Sequence, residues 1–156
     1  EISACLVGSE MCIRDSRLQG LRDAVTGSDA TVEVFDVPHL TTEDGLEVAE
    51  RILALPADDR PDAIFAANDM VAIGVMTQLL RHGIRVPDEI ALVGFDDVAQ
   101  AHQSVVPLTS VRQPGYEIGR AAGAALIRQL ADPAAALPAP TPFAAELVVR
   151  ESTVGR

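Results

Sequence analysis

The sequence predicts an α/β fold, a doubly wound parallel sheet flanked by helices, and three observations carry that prediction. Runs of strand length at 32–37 (VEVFDV), 63–67 (AIFAA) and 90–95 (IALVGF) alternate with segments of helical periodicity. Each strand is apolar on both faces, the pattern of a parallel sheet covered on both sides. Each run ends on turn-forming or polar residues: Pro38 with His39, Asn68 with Asp69, and Asp96 with Asp97. Strand–helix–strand crossovers are right-handed, so such a chain closes into a layered α/β sandwich.

The elements follow in order. Leu18, Leu21, Ala24 and Val25 recur at helical spacing, and Gly27, Ser28 and Asp29 close that helix. After the strand at 32–37, Thr41 and Thr42 are N-cap candidates, with Glu43 and Asp44 placed to offset the exposed N–H groups of the first turn. Val48, Ala49, Ile52, Leu53 and Leu55 form the buried stripe of the helix they start. The stretch 61–74, PDAIFAANDMVAIG, then packs a strand, a turn and the start of a helix into fourteen residues. Gly83 stands where a left-handed C-terminal residue is wanted, Ile84 can fold back onto the last turn, and Pro87 prevents continuation. Beyond the strand at 90–95, residues 108–112 predict a short extended segment, and Pro114 opens a helix with Ile118, Ala122, Ala125, Leu126 and Leu130 on one face. Residues 132–142 hold four prolines among alanines and read as a connector; 143–150 (FAAELVVR) is a last strand candidate.

Composition bounds the function. With 156 residues, 48% of them hydrophobic and 22% charged, the chain supports one domain with a sizeable core, and no apolar run approaches the roughly 20 residues that span a bilayer. The net charge of −11 argues against this piece holding nucleic acid, because phosphate binding is driven by a basic surface. The string at 5–16, CLVGSEMCIRDS, stands apart: it carries both cysteines and resembles the in-frame translation of a sequencing-library adapter. Residues 1–16 are therefore expected to be non-native, and no thiol, disulfide or zinc chemistry is argued from Cys5 and Cys12. The rival reading makes 2–8 a genuine strand, since ISACLVG is apolar enough to fill an empty sheet position.

In open α/β sheets ligands collect outside the carboxyl ends of the strands, here at Leu40, at Asn68 with Asp69, and at Asp96 with Asp97. A carboxylate accepts from two hydroxyls and an amide both donates and accepts, a set that suits a polyhydroxylated molecule such as a sugar. The structural alternative stands beside it: Asn68 or Asp69 caps the following helix, and Asp96 caps a turn. His39, His82 and His102 stand singly without metal-ligand spacing, and neither a nucleophile motif nor a phosphate-binding glycine motif occurs. The acidic pairs Asp58–Asp59 and Asp96–Asp97 do not make a magnesium site, because adjacent carboxylates at a strand end point apart. Neither a metal nor a cofactor is expected.

PDAIFAANDMVAIGV, HGIRVPDEIALVGFDD, PLTSVRQPGYEIG and ELVVREST, preceded by RLQGLRDAV, resemble successive signatures of the LacI/GalR family of bacterial transcriptional regulators, over residues 17 to about 153. The resemblance implies one lobe of a periplasmic-binding-protein-like (type I) fold: residues 17–156 would be a partial effector-binding domain, the second lobe plus the 113–132 crossover helix of a missing first lobe. Operator DNA would be read only by an absent N-terminal helix-turn-helix domain. By position, Asn68, Asp96 and Arg17 match effector contacts of the family, Gln113 falls where the chain crosses between lobes, and Leu40 stands where relatives often stack an aromatic ring. The implied protein is a cytoplasmic, non-enzymatic sensor of a small effector, a carbohydrate by preference, dimeric through the helix after Asn68 with Ile73 facing the partner. A periplasmic sugar-binding protein of a transporter and an enzyme on a doubly wound fold are the alternatives. The crossover helix is further expected to dock away from its natural sheet or to leave an apolar patch exposed.

Overall fold

The computed structural model describes residues 3–8, 12–134, 136 and 142–154, with 3–8 and 12–14 described by backbone only. Six strands form one sheet in the order β2-β1-β3-β4-β5-β6. They are β1 (Ser3–Gly8), β2 (Thr31–Asp36), β3 (Ala63–Ala66), β4 (Ala91–Phe95), β5 (Thr109–Arg112) and β6 (Glu146–Val148). The first five are parallel neighbours, and β6 runs antiparallel to β5, with Val111 opposite Leu147. The helices are α1 (Cys12–Val25), α2 (Thr42–Leu53), α3 (Asp69–Arg81), α4 (Ala99–Gln103), α5 (Gly115–Ala131) and α6 (Glu151–Val154). The doubly wound α/β architecture is therefore present, with strand order reversing next to β1. β1 sits between β2 and β3, the position its apolar string was expected to be able to fill, and α1 starts at Cys12, ahead of the regular pattern recognised from Arg17.

The core lies between the sheet and the α2–α3 pair. Ile52, Ile64, Met76, Leu79, Leu92 and Leu108 are its largest fully enclosed side chains. The two helices touch backbone to backbone: a Cβ on Gly74 would lie 2.1 Å from the Thr42 carbonyl oxygen, and one on Gly45 would lie 2.2 Å from that of Val71. Only glycine permits this approach. Thr41 caps α2 through a reciprocal box, its hydroxyl accepting from the Asp44 N–H while the Asp44 carboxylate accepts from the Thr41 N–H. Gly83 follows α3 at φ 77°, and the Ile84 N–H donates to the Leu79 carbonyl, as the sequence predicted.

The two faces of the sheet are covered to different degrees. In β3 and β4 the side facing α2 and α3 (Ile64, Ala66, Leu92, Gly94) is buried, whereas Ala63, Phe65, Ala91, Val93 and Phe95 are only half-buried. α5 has no buried residue, and Leu126, Ile127 and Leu130 are exposed, so it adds no cover to that face. The last strand is also shorter than 143–150: Glu146–Val148 pairs, and Arg150 leaves the ladder to serve a polar network. Ser152 of α6 donates to the Leu92 carbonyl at 2.6 Å and accepts from the Thr109 N–H at 2.8 Å, bolting the C-terminal return across β4 and β5.

Candidate functional site

Parallel strands end on one edge, and the polar residues picked from the sequence gather there. Asn68 immediately follows β3 and Ala67. Its Oδ1 accepts from the Val71 N–H at 2.9 Å, making it the N-cap of α3, and its Nδ2 donates to the Leu40 carbonyl at 3.0 Å. The capping role weighed for Asn68 is thus real, and the side chain ties the end of β3 to the loop after β2. Leu40 itself is half-buried and packs its side chain against the core. Asp69, the other cap candidate, turns inward instead: it is 1% exposed, accepting from Ser110 Oγ at 2.6 Å and from the Val98 N–H at 2.8 Å. Burial pushes its carboxyl pKa up, opposed by those two hydrogen bonds and reinforced by the nearby charges of Asp96 and Asp97.

Arg17 reaches this edge from α1. Its guanidinium stacks over the Phe95 ring with 3.5 Å to the centroid and donates to the Ala67 carbonyl, so it spans the ends of β3 and β4. Burial lowers the guanidinium pKa from its ordinary value, and the Asp96 carboxylate opposes that change. Asp96 is exposed at the tip of β4, and its Oδ1 accepts from Gln113 Nε2 at 2.9 Å. Among the described residues its second oxygen takes no hydrogen bond from the protein, which leaves acceptor capacity at the open edge. Arg17, Asp96 and Gln113 therefore form one cluster, joined to Asn68 and Leu40 through Ala67.

The acidic pair at 96–97 divides sharply. Asp97, alternating with Asp96, points into the protein, its side chain 6% exposed, and binds Arg112 Nε and Arg150 Nη2 at 2.6 Å each. Burial alone would raise its carboxyl pKa; hydrogen bonds from Arg150 and Arg112, with their charges, more than offset this and hold it below the ordinary carboxylate range. Sequence reasoning missed this ion-pair network and the ring of Phe95 beneath Arg17. The signal available was two arginines in the two extended segments on either side of α5, facing one acidic pair. Among the described residues no group of three or more His, Cys, Asp or Glu side chains is arranged to hold a metal ion, and His39, His82 and His102 are exposed.

A separate apolar groove of about 470 Å³ runs along the outer side of α3, lined by Ile73, Met76, Leu80 and Val105 among others. Ile73 is half-buried and Val105 is 82% exposed, so the helix after Asn68 keeps an open apolar side within this chain.

The family description "Periplasmic binding protein-like domain" matches residues 3–153. The chain is similar to the HTH-type transcriptional repressor PurR of Vibrio cholerae, 32% identical over 132 residues that make up 83% of this chain and 39% of that protein. It is similar also to the HTH-type transcriptional repressor CytR of Escherichia coli, 33% identical over 129 residues, 81% of this chain and 37% of the relative. It thus spans about two fifths of the length of these curated relatives. Among solved structures, a LacI family transcriptional regulator from Lactobacillus casei with bound sucrose superposes with a TM-score of 0.80 at 30% identity, covering 96% of this chain and 56% of that one. The Lactobacillus casei regulator with bound glucose gives a TM-score of 0.79 at the same identity and coverage.

Proposed function

The chain belongs to the periplasmic binding protein-like domain family, as the ligand-binding part of a LacI-type transcriptional regulator, and from that premise we propose that it senses a carbohydrate effector at the edge formed by Arg17, Leu40, Asn68, Asp96 and Gln113. One observation carries the reading: an exposed carboxylate, Asp96, stands beside the guanidinium of Arg17 at the carboxyl ends of the strands, with Gln113 holding one carboxylate oxygen. Asp96 accepts ligand hydroxyls and Arg17 donates to them. Asn68, already engaged as cap and tie, fixes the shape of the floor and offers its remaining N–H. Leu40 offers apolar contact without a π-face. The sugars bound by the Lactobacillus casei regulator support the effector class.

The effector changes the balance between two lobe arrangements by binding one better than the other. Operator DNA is read by a helix-turn-helix domain outside this span, in a cytoplasmic protein that pairs through the open apolar side of α3. Residues 113–132 belong to a first lobe, and residues 1–16 stay outside the functional reading, because their resemblance is to an adapter. No reaction is assigned to the site, which binds and does not turn over. Calorimetric titration of the complete gene product with a sugar panel led by glucose and sucrose tests the reading. A sugar that binds should lose roughly 10- to 100-fold in affinity on Asp96→Asn, the worth of hydrogen bonds to a charged group. Unchanged affinity in that variant sinks the proposal.

A further inference from the structure

Asp96 and Asp97 are the non-glycine residues of the described chain with positive φ, 104° and 53°. Two consecutive left-handed aspartates persist only where the surroundings over-determine them. Here each residue of the turn after β4 is held from a neighbouring element: Asp96 and Asp97 from β5 and Val98 from Asp69 of α3. The Asp96 N–H donates to the Val111 carbonyl at 2.9 Å and the Asp97 N–H to Ser110 Oγ at 3.0 Å, while Val98 donates to Asp69, itself bound to Ser110. The Asp97 carboxylate is the hub: one oxygen takes Arg112 of β5, the other Arg150 beyond β6, and Arg150 also donates to the Leu108 carbonyl at 2.7 Å. Arg112 and Gln113, adjacent in sequence, thus grip Asp97 and Asp96 respectively.

We infer that Asp97 is a positioning residue: through Arg112 and Arg150 it fixes the left-handed turn that presents the Asp96 carboxylate, so that the aim of Asp96 depends on the two strands flanking α5. This rests on the proposed role of Asp96 in effector binding. A purely structural Asp97 would hold β6 in place and leave Asp96 indifferent.

The test uses the complete gene product with Asp97→Asn, which keeps size and turn preference but removes the charge. Arg112→Gln serves as a second variant that spares folding, because Arg112 is 48% exposed. Hydrogen exchange reads the Asp96 amide against the Ile64 amide of the core, and calorimetry reads the sugar, glucose or sucrose first, that the parent protein binds. The expected result is at least tenfold faster exchange at Asp96 with Ile64 unchanged, and at least tenfold weaker sugar binding in Asp97→Asn, with a smaller change of the same sign in Arg112→Gln. Parent-like exchange at Asp96 in both variants overturns the inference, as does faster exchange with unaltered affinity. If no sugar of the panel binds, exchange alone decides it. Failure of the effector reading is separate: it shows as Asp96→Asn leaving affinity unchanged, whatever the Asp97 variants do.

Discussion

α3 and α5 are written in the same language and live in different surroundings. Both carry apolar residues at helical spacing, yet α3 buries Val71, Ala72, Val75, Met76 and Leu79 whereas α5 buries nothing. Their starts differ as well: Asn68 caps α3 with a side-chain hydrogen bond, and Pro114 precedes α5 with none. An apolar stripe states that a helix can be covered; it does not state by what. α3 finds its cover in α2 and the sheet, so its stability is tertiary, while α5 must rely on propensity and length.

The contrast can be broken by removing what α3 alone possesses. Leu79→Ala, at a fully enclosed position, should cost about 2–5 kcal/mol, read as the shift in urea midpoint at constant slope. Gly74→Ala drives a methyl group into the Thr42 carbonyl and should cost about 1–3 kcal/mol; a wild-type thermal midpoint would show that α2 can slide away. Thr41→Ala dissolves the capping box on which α2 rests and should cost about 0.5–2 kcal/mol. That box also carries a pH signature. Burial would raise the Asp44 carboxyl pKa, but hydrogen bonds from Thr41 and His39, with the His39 charge, prevail and lower it. A carboxyl depressed in the folded state contributes stability that is complete above its unfolded pKa of about 3.9 and is lost as the pH falls through the lower folded value. Denaturant titrations below about pH 4 should therefore show a shallower acid loss in Asp44→Asn than in the parent. At the other end, Leu130→Gln on α5 should change stability by no more than about 0.5 kcal/mol, because the side chain is 74% exposed; a loss comparable to that of Leu79→Ala would mean that α5 is covered in solution.

The architecture was legible because strand and helix periods alternate cleanly from Arg17 to Phe95, and because Thr41, Asp44 and Gly83 mark helix ends by local chemistry that needs no tertiary context. The candidate site was legible as a gathering of polar residues at one sheet edge and only half legible in what each side chain bonds to. Asn68 and Asp69 are both capable caps; which one caps and which turns inward is decided by Ser110, 41 residues away. Asp96 and Asp97 are chemically the same, and their separation into an exposed acceptor and a buried hub depends on arginines that approach from β5 and from beyond β6. The half-covered state of the Phe65, Val93 side of the sheet likewise left no mark in the apolar period, because apolarity does not state where the covering helix lies.

The crossing of α2 and α3 at Gly45 and Gly74 has a mechanical meaning. Where side chains separate two helices, rotamer changes act as springs and absorb small displacements; where backbones abut, no spring is left. A displacement of α3 toward α2 at this crossing therefore meets backbone at once, and the Leu40–Asn68 tie stands at the start of the same helix whose far side borders the apolar groove.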